Sequence, residues 1–309
     1  MRVFIAGATG AVGRPLISQL IKAGHVVIGM VRDGNSANRL RQQGAAAEIA
    51  DALDARAVHH AVVRSAPDVV INQLTVLPKR YTPETMRAAI PVDHRVRREG
   101  GANLQAAAAA AQARRYVLQS CGFWYEPGAG LADEHSQLAV DTTPYIAEGS
   151  RFYRDLEQSA AAMPGPEVLF LRYGFLYGPG TWYAPDGDAA EQARKRMSPI
   201  VGEGKGVWSW VHVEDAAAAA VLALQQGSAG AYNIVDDDPS PVRVWLPSFA
   251  QWLGAPPPPH VSAEQAGSED AVYYGMRSRG ASNAKAKREL GFRPRPLEWL
   301  TTGLQARAV

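Results

Sequence analysis

Gly7, Gly10 and Gly13, in the run Gly7-Ala8-Thr9-Gly10-Ala11-Val12-Gly13, stand directly behind the apolar stretch Val3-Phe4-Ile5-Ala6. That spacing can hold a pyrophosphate: one glycine permits a tight turn, the second lets backbone approach the anion, and the third lets a new helix lie close to the strand. The amides of Thr9, Ala11, Val12 and Gly13 then meet the anion at the helix start. The context fits, because apolar Val12, Leu16, Ile17, Leu20 and Ile21 follow at helical spacing over Val12 to Ala23, and a second apolar run spans Val26 to Val31. Arg32 ends that run. An acid there accepts the ribose hydroxyls of NAD, whereas an arginine accommodates the 2′-phosphate of NADP, so Arg32 predicts NADP(H) in spite of the adjacent Asp33. Arg39 and Arg41 on the next helix either add charge toward that phosphate or form a solvated helix face.

Other reactive side chains are sparse. Cys121 lacks a readable His-Asp arrangement and fits an inert strand cysteine. His59 and His60 are neighbours on a predicted helix and do not converge on one ion, so no metal site is expected. Phe123, Trp124, Tyr125, Tyr177, Trp182, Tyr183, Trp208 and Trp210 offer flat rings that can stack on a polycyclic ligand or fill a core.

The elements that must position these residues alternate along the chain. Ala47 to Ala50, Val69 to Asn72, Tyr116 to Gln119 and Val168 to Arg172 are expected as strands, with helices at Ala55 to Arg64, Gly100 to Ala113 and Ser150 to Ala162. This is an α/β chain with a Rossmann-type, doubly wound parallel sheet. Beyond Gly174 the pattern loosens into Gly-, Pro- and Trp-rich sequence, and Pro256 to Pro259 form a stiff connector. The expected division is a nucleotide-binding domain at 1–174, its sheet completed by 207–236, and a smaller, mostly C-terminal substrate domain from 175–206 and 237–309.

The chain has 309 residues, 47% hydrophobic, and a net charge of +2 from 32 basic and 30 acidic residues. That balance gives no case for nucleic acid or a membrane surface as partner. The longest apolar stretch, Ala216 to Leu224, is too short to span a bilayer. A single cysteine excludes an internal disulfide and fits a cytoplasmic protein, monomer or homodimer.

These segments together resemble the extended short-chain dehydrogenase/reductase superfamily, the nucleotide-sugar epimerase/dehydratase relatives. Asp51-Ala52-Leu53 matches the pair that contacts adenine, and Asn72-Gln73-Leu74 ends the fourth strand where the cofactor lies. Leu171-Arg172-Tyr173-Gly174-Phe175-Leu176-Tyr177-Gly178-Pro179-Gly180, Trp210 to Asp215 and Ser282 to Gly291 match three further motifs. The resemblance implies that Asp51, Ala52, Leu53, Gln73, Leu74, Ser120, Arg172 and Phe175 join the glycine loop around the cofactor. It also implies that Cys121, Gly122, Phe123, Trp124, Tyr177, Trp182 and Trp208 border the substrate, and that His212 is structural.

The chemistry of that family uses a Ser/Thr, a Tyr and a Lys four residues after the Tyr, and here the set is broken. Cys121 falls at the usual serine position with Ser120 before it. Registering on Glu157 puts Gly149 and Tyr153 at the Tyr and Lys positions, and registering on the spacing to Arg172 puts Tyr145 and Gly149 there. Neither gives a lysine, and without that cation a tyrosine stays a poor acid. Ser120, Tyr145 and Tyr153 are the remaining catalytic candidates. The expected activity is NADPH-dependent reduction of an aromatic polyketide-type ketone polarised by its own phenol, as in atypical antibiotic-tailoring ketoreductases. The alternatives are an isomerase or cyclase that retains the nucleotide, and an NADP-sensing regulator without catalysis.

Overall fold

The computed structural model describes residues 1–305. Strands β1 (Arg2–Ala6), β2 (Val26–Val31), β3 (Ala46–Ile49), β4 (Val69–Asn72), β5 (Arg115–Cys121) and β6 (Glu167–Tyr173) alternate with helices α1 (Gly13–Lys22), α2 (Gly34–Gln42), α3 (Ala55–Ser65), α4 (Pro83–Arg95), α5 (Gly101–Ala110) and α6 (Pro144–Ala162). A seventh strand, Gly230–Ile234, pairs with β6, and the order across the sheet is this strand, then β6, β5, β4, β1, β2 and β3. Every pairing is parallel.

Both sheet faces are covered, as a parallel sheet requires. Val3 and Ile5 pack with α1 residues Leu16 and Leu20 on one side, while Phe4 joins Val58, Leu104 and Phe152 on the other. Alternate residues of one strand therefore serve two cores.

The expected strands and crossover helices appear within one to three residues of their expected bounds, except that α6 starts six residues early, at Pro144. Helix α4 was not among the expected crossovers, and it carries Pro91 in its interior. Its start signal is nonetheless plain: Thr82 accepts from the Thr85 amide, the Thr85 hydroxyl accepts from the Thr82 amide, and Pro83 opens the helix. A π-helical turn, Val96–Gly100, joins α4 to α5.

After β6 the chain builds short pairings: Phe175–Tyr177 with Trp210–His212 in parallel, Val207–Trp208 with Ser240–Pro241 antiparallel, and Ile200–Val201 with His260–Val261 in parallel. Helices α7 (Asp188–Arg194), α8 (Val213–Leu222) and α9 (Val242–Trp252) follow in order. Trp210, Trp245, Phe249 and Trp299 form an aromatic core on this side. Residues 255–259 form neither helix nor strand. Among the described residues no helix is long and apolar enough to cross a membrane.

Asp236 ties the seventh strand to this aromatic core through its amide, which donates to Trp210 O. Its Oδ1 accepts from the Asp238 amide, but Oδ2 is buried with no partner among the described residues. Burial, with Asp238, Asp237 and Asp215 nearby, pushes its carboxyl up to about 8. An acid whose folded pKa exceeds its unfolded value, about 3.9, binds its proton more tightly when folded, so stability falls as pH rises from about 4 through about 8. Asp236→Asn cannot ionise and should remove that loss. Thermal melts across pH 5 to 9 should show the variant gaining on wild type up to about pH 8, whereas a gap independent of pH would refute a neutral Asp236.

Candidate active site

The strand order reverses between β1 and β4, and ligands of open α/β sheets bind at the carboxyl ends of the strands there. Gly7 leaves β1 with φ +81°, and a Cβ on it would lie 2.3 Å from Gln73 O, so only glycine lets the two chain ends pass. A Cβ on Gly13 would stand 2.2 Å from Gly7 O, which fixes the close seat of α1. Gly10 differs, since a Cβ there would meet only Gly7 O, at 3.3 Å. Its outer side is open cleft. Val12 makes no side-chain cap, Arg14 N donates to Gly10 O and Pro15 has no N–H, so among the described residues the amides left open before the cleft are those of Ala11, Val12 and Gly13.

A cleft of about 790 Å³ runs from this loop into the C-terminal part. Gly7, Gly10, Ala11, Val12, Gly13, Gln73, Ser120 and Phe175 line it, with Cys121, Phe123, Trp124, Tyr145, Tyr153 and Trp182. Thr9, Arg32, Asp51, Ala52, Leu53, Leu74, Arg172, Gly122, Tyr177 and Trp208 are not on its walls. The reasons differ by residue. Thr9, Arg32 and Asp51 are exposed. Ala52 is buried, its carbonyl held by Asn103, and the amide of Leu53 closes a turn on the Asp51 carboxylate. The Leu74 amide is likewise taken by Asn72. The Arg172 guanidinium is used entirely within the protein, on Glu157, Tyr125 and the Glu134 carbonyl. Gly122 packs against the Arg172 backbone, Tyr177 against His212 and Trp299, and Trp208 beneath Phe175.

At the end of β2 the two adjacent charges separate. Asp33 caps α2, accepting from the amide and hydroxyl of Ser36 at 2.8 Å each. Those bonds hold its carboxyl below the usual range. Arg32 makes no hydrogen bond or ion pair among the described residues.

Two aromatic walls face the far end. Phe123 stacks on Phe175 (4.3 Å between ring centres), which stacks on Trp208 (4.0 Å). Opposite, Tyr81 stacks on Trp182 (4.5 Å), whose indole N–H donates to Pro78 O. Trp124 donates to the Tyr274 hydroxyl at 2.8 Å.

Tyr145, Gly149 and Tyr153 recur every four residues of α6 and share one face on the cleft. Position 149 is common to both registers of the missing relay, and it is filled from outside: a Cβ there would lie 2.2 Å from Trp124 Cζ3. The indole occupies the room that a Tyr or Lys side chain would need. Burial raises both tyrosines well above an ordinary phenol, and neither hydroxyl has a hydrogen-bond partner among the described residues. Ser120 donates its proton to Glu157 at 2.6 Å, so the hydroxyl is committed. Burial pushes the Cys121 thiol up to about 12, far from a thiolate at neutral pH.

Sequence reasoning missed the wall contributed by α4 and the loop before it, including Thr75, Tyr81, Asp93, His94 and Arg97, and also Tyr274. The capping residues around Thr82 could have revealed α4. No comparable signal marks Tyr274. His94 stacks on Phe152 at 3.7 Å, and burial keeps it neutral.

The sequence matches the NAD dependent epimerase/dehydratase family over residues 3–235. A 3-diazoavenalumate denitrifying reductase from a Streptomyces species is 40% identical over 306 residues, covering 97% of this chain and 98% of that protein. An uncharacterized protein of Schizosaccharomyces pombe is 26% identical over 79% of this chain and 77% of its own. Among solved structures, a dTDP-glucose 4,6-dehydratase from Streptomyces venezuelae with NAD bound superposes with a TM-score of 0.74 at 21% identity, over 98% of this chain and 94% of that one. A UDP-glucose 4-epimerase from Thermotoga maritima gives 0.73 at 18% identity, over 98% and 100%.

The filled position 149 predicts a specific coupling. Gly149→Ala should destabilise by about 1–3 kcal/mol through overpacking, and a Trp124→Leu background should absorb most of that cost. Chemical denaturation of the four proteins in this cycle measures it. Equal losses in both backgrounds would mean that the indole is not what closes the position.

Proposed function

The chain belongs to the NAD dependent epimerase/dehydratase family, and from that premise we propose that it is an NADPH-dependent reductase of an aromatic substrate whose reacting group takes hydride without a proton from the protein. The observation that carries this is the Trp124 indole at position 149, which removes the tyrosine–lysine pair in either register. A carbonyl that accepts hydride becomes an alkoxide and must be protonated. An aryl diazonium differs, because one hydride replaces one N2 and leaves an arene C–H with no proton needed at the reacting carbon, and a neighbouring phenolate takes its proton from solvent once N2 has left. The 40% identical Streptomyces reductase is named for removal of a diazo group, which favours this chemistry for the chain.

The residues fit a dinucleotide. The open side of Gly10 and the unbonded amides of Ala11, Val12 and Gly13 suit a pyrophosphate, and the buried Gln73 Oε1, without a partner among the described residues, can accept from a hydroxyl. Bound in reduced form, the cofactor supplies the hydride. Phe123 and Phe175 on one wall, with Tyr81 and Trp182 on the other, hold a planar substrate and exclude water. Arg32, exposed and unpaired among the described residues while Asp33 faces its helix, supports the 2′-phosphate of NADPH.

A second reading, reduction of an aromatic polyketide-type ketone with a neighbouring phenol, is favoured by the unpartnered hydroxyls of Tyr145 and Tyr153 on the cleft. One assay separates the two. With NADPH, an o-diazophenol carrying an acrylate side chain should lose its diazo group and release N2 in step with NADPH oxidation. Tyr145→Phe and Tyr153→Phe should each slow this by under about 100-fold, below the upper range of general acid catalysis. No N2, with alcohol formed from a hydroxyaryl ketone and a loss near 10⁴-fold in one tyrosine variant, would install ketone reduction with that tyrosine as the acid.

Cofactor choice has its own test. Arg32→Ala should weaken NADPH binding by about 10- to 100-fold and leave NADH within about twofold, as expected for losing one charge-assisted phosphate contact. Equal losses for the two nucleotides, measured by fluorescence titration, would overturn the NADP assignment.

A further inference from the structure

Arg97 is the buried cation of the cleft, its side chain only 4% exposed, whereas Arg14 and Lys79 on the same walls are exposed. It sits in the π-helical turn Val96–Gly100, a local widening that often marks functional sites. Its Nε donates to Asp93 Oδ2 at 2.6 Å. Asp93 is itself anchored, its Oδ1 accepting from the Val76 amide at 2.6 Å and from Thr75 Oγ1 at 2.9 Å. The guanidinium is thus fixed through one nitrogen.

Its two terminal nitrogens have no hydrogen-bond acceptor among the described residues. The guanidinium carbon lies 5.5 Å from the ring centre of Tyr153, within electrostatic reach of Cys121. Both neighbours stay neutral, so neither supplies an anion. The guanidinium is held in a mostly buried place with its four terminal N–H donors open only to the cleft, and two donors in one plane match an oxyanion best. We propose that Arg97, braced by Asp93, binds an oxyanion of the aromatic substrate through its two terminal nitrogens. The inference rests on reading this cleft as the site of an aromatic substrate, and it adds that the substrate is anionic beside the reacting centre. The oxyanion is a carboxylate or an acidified phenol, which share this chemistry.

The test uses 4-hydroxy-3-nitrocinnamate, whose carboxylate and nitro-acidified phenol are both ionised at pH 8, with its methyl ester and its 4-methoxy ether. Each is titrated into NADP⁺-saturated protein by quenching of tryptophan fluorescence. Wild type should bind the parent probe about 10- to 100-fold more tightly than one capped form. Weak binding of the ester assigns the contact to the carboxylate, and weak binding of the ether assigns it to the phenolate. Arg97→Gln should weaken the parent probe equally and erase the discrimination. Because that variant strands the Asp93 carboxylate, the Asp93→Asn/Arg97→Gln pair repeats the measurement with both charges removed. Wild type binding all three probes within twofold, or none of them, overturns the proposal without any variant, as does discrimination that survives in the variants. Selective binding of the anion with no turnover of a diazo or keto substrate would sink the reductase reading and leave the role of Arg97 standing.

Discussion

The buried carboxylate of Glu157 holds the chemistry of this molecule in register. It accepts from Ser120 Oγ at 2.6 Å on β5 and from Arg172 Nε and Nη2, at 2.9 and 2.6 Å, on β6. Arg172 passes the connection to the Tyr125 hydroxyl, which donates to Asn233 Oδ1 on the seventh strand, and Asn233 Nδ2 donates to the carbonyls of Ala132 and Ser282. Removing one partner of a buried ion pair costs about 3–5 kcal/mol, because the other charge is left uncompensated. The rotation of α6 is therefore fixed at one end. Counting back along its face by fours from Glu157 reaches Tyr153, Gly149 and Tyr145, the residues presented to the cleft.

This anchoring explains how the proton relay could be lost without losing the site. Ser120 and Arg172, both expected against the cofactor from the family resemblance, commit their side-chain polar atoms to the Glu157 network, while Ser120 still lines the cleft. Position 149 is glycine, and Trp124 fills the space beside it, tied down by its bond to Tyr274. An indole stands where the relay would need polar side chains, and it makes this end of the cleft apolar and flat. Such a wall is suited to gripping a ring and poorly suited to passing protons.

The sheet and its crossovers were legible because their signals are local: apolar runs of strand length, helical spacing in Leu16, Ile17 and Leu20, and glycines whose crowding at Gly7 and Gly13 is absolute. The glycine loop was legible for the same reason. Contributions from distant chain were not. His94 reaches the cleft on a helix with Pro91 inside it, and Arg97 on the π-helical turn that follows, which no residue type announces. The family resemblance placed Tyr177 and Trp208 at the substrate border, but an aromatic side chain serves burial equally well. The Tyr177 ring packs edge-on to Trp299, and Trp208 forms the floor under Phe175. The broken relay was visible in sequence, but the reason it cannot be repaired by a small register shift, an indole in the lysine's room, is a fact of packing.

Charge distribution carries the argument one step further. A conventional reductase of this fold needs a cation to lower a tyrosine, and here the buried cation near Tyr153 is already engaged through Nε by Asp93 while burial still drives the tyrosine up. Arg97 is thus a weak lever on the acidity of Tyr153 and a strong donor toward anything bound in front of it. The same guanidinium that fails to make an acid of the tyrosine can hold an oxygen of the substrate during hydride arrival. That division of labour is consistent with a reacting group that brings its own leaving group and asks the protein for orientation, dryness and a fixed positive donor.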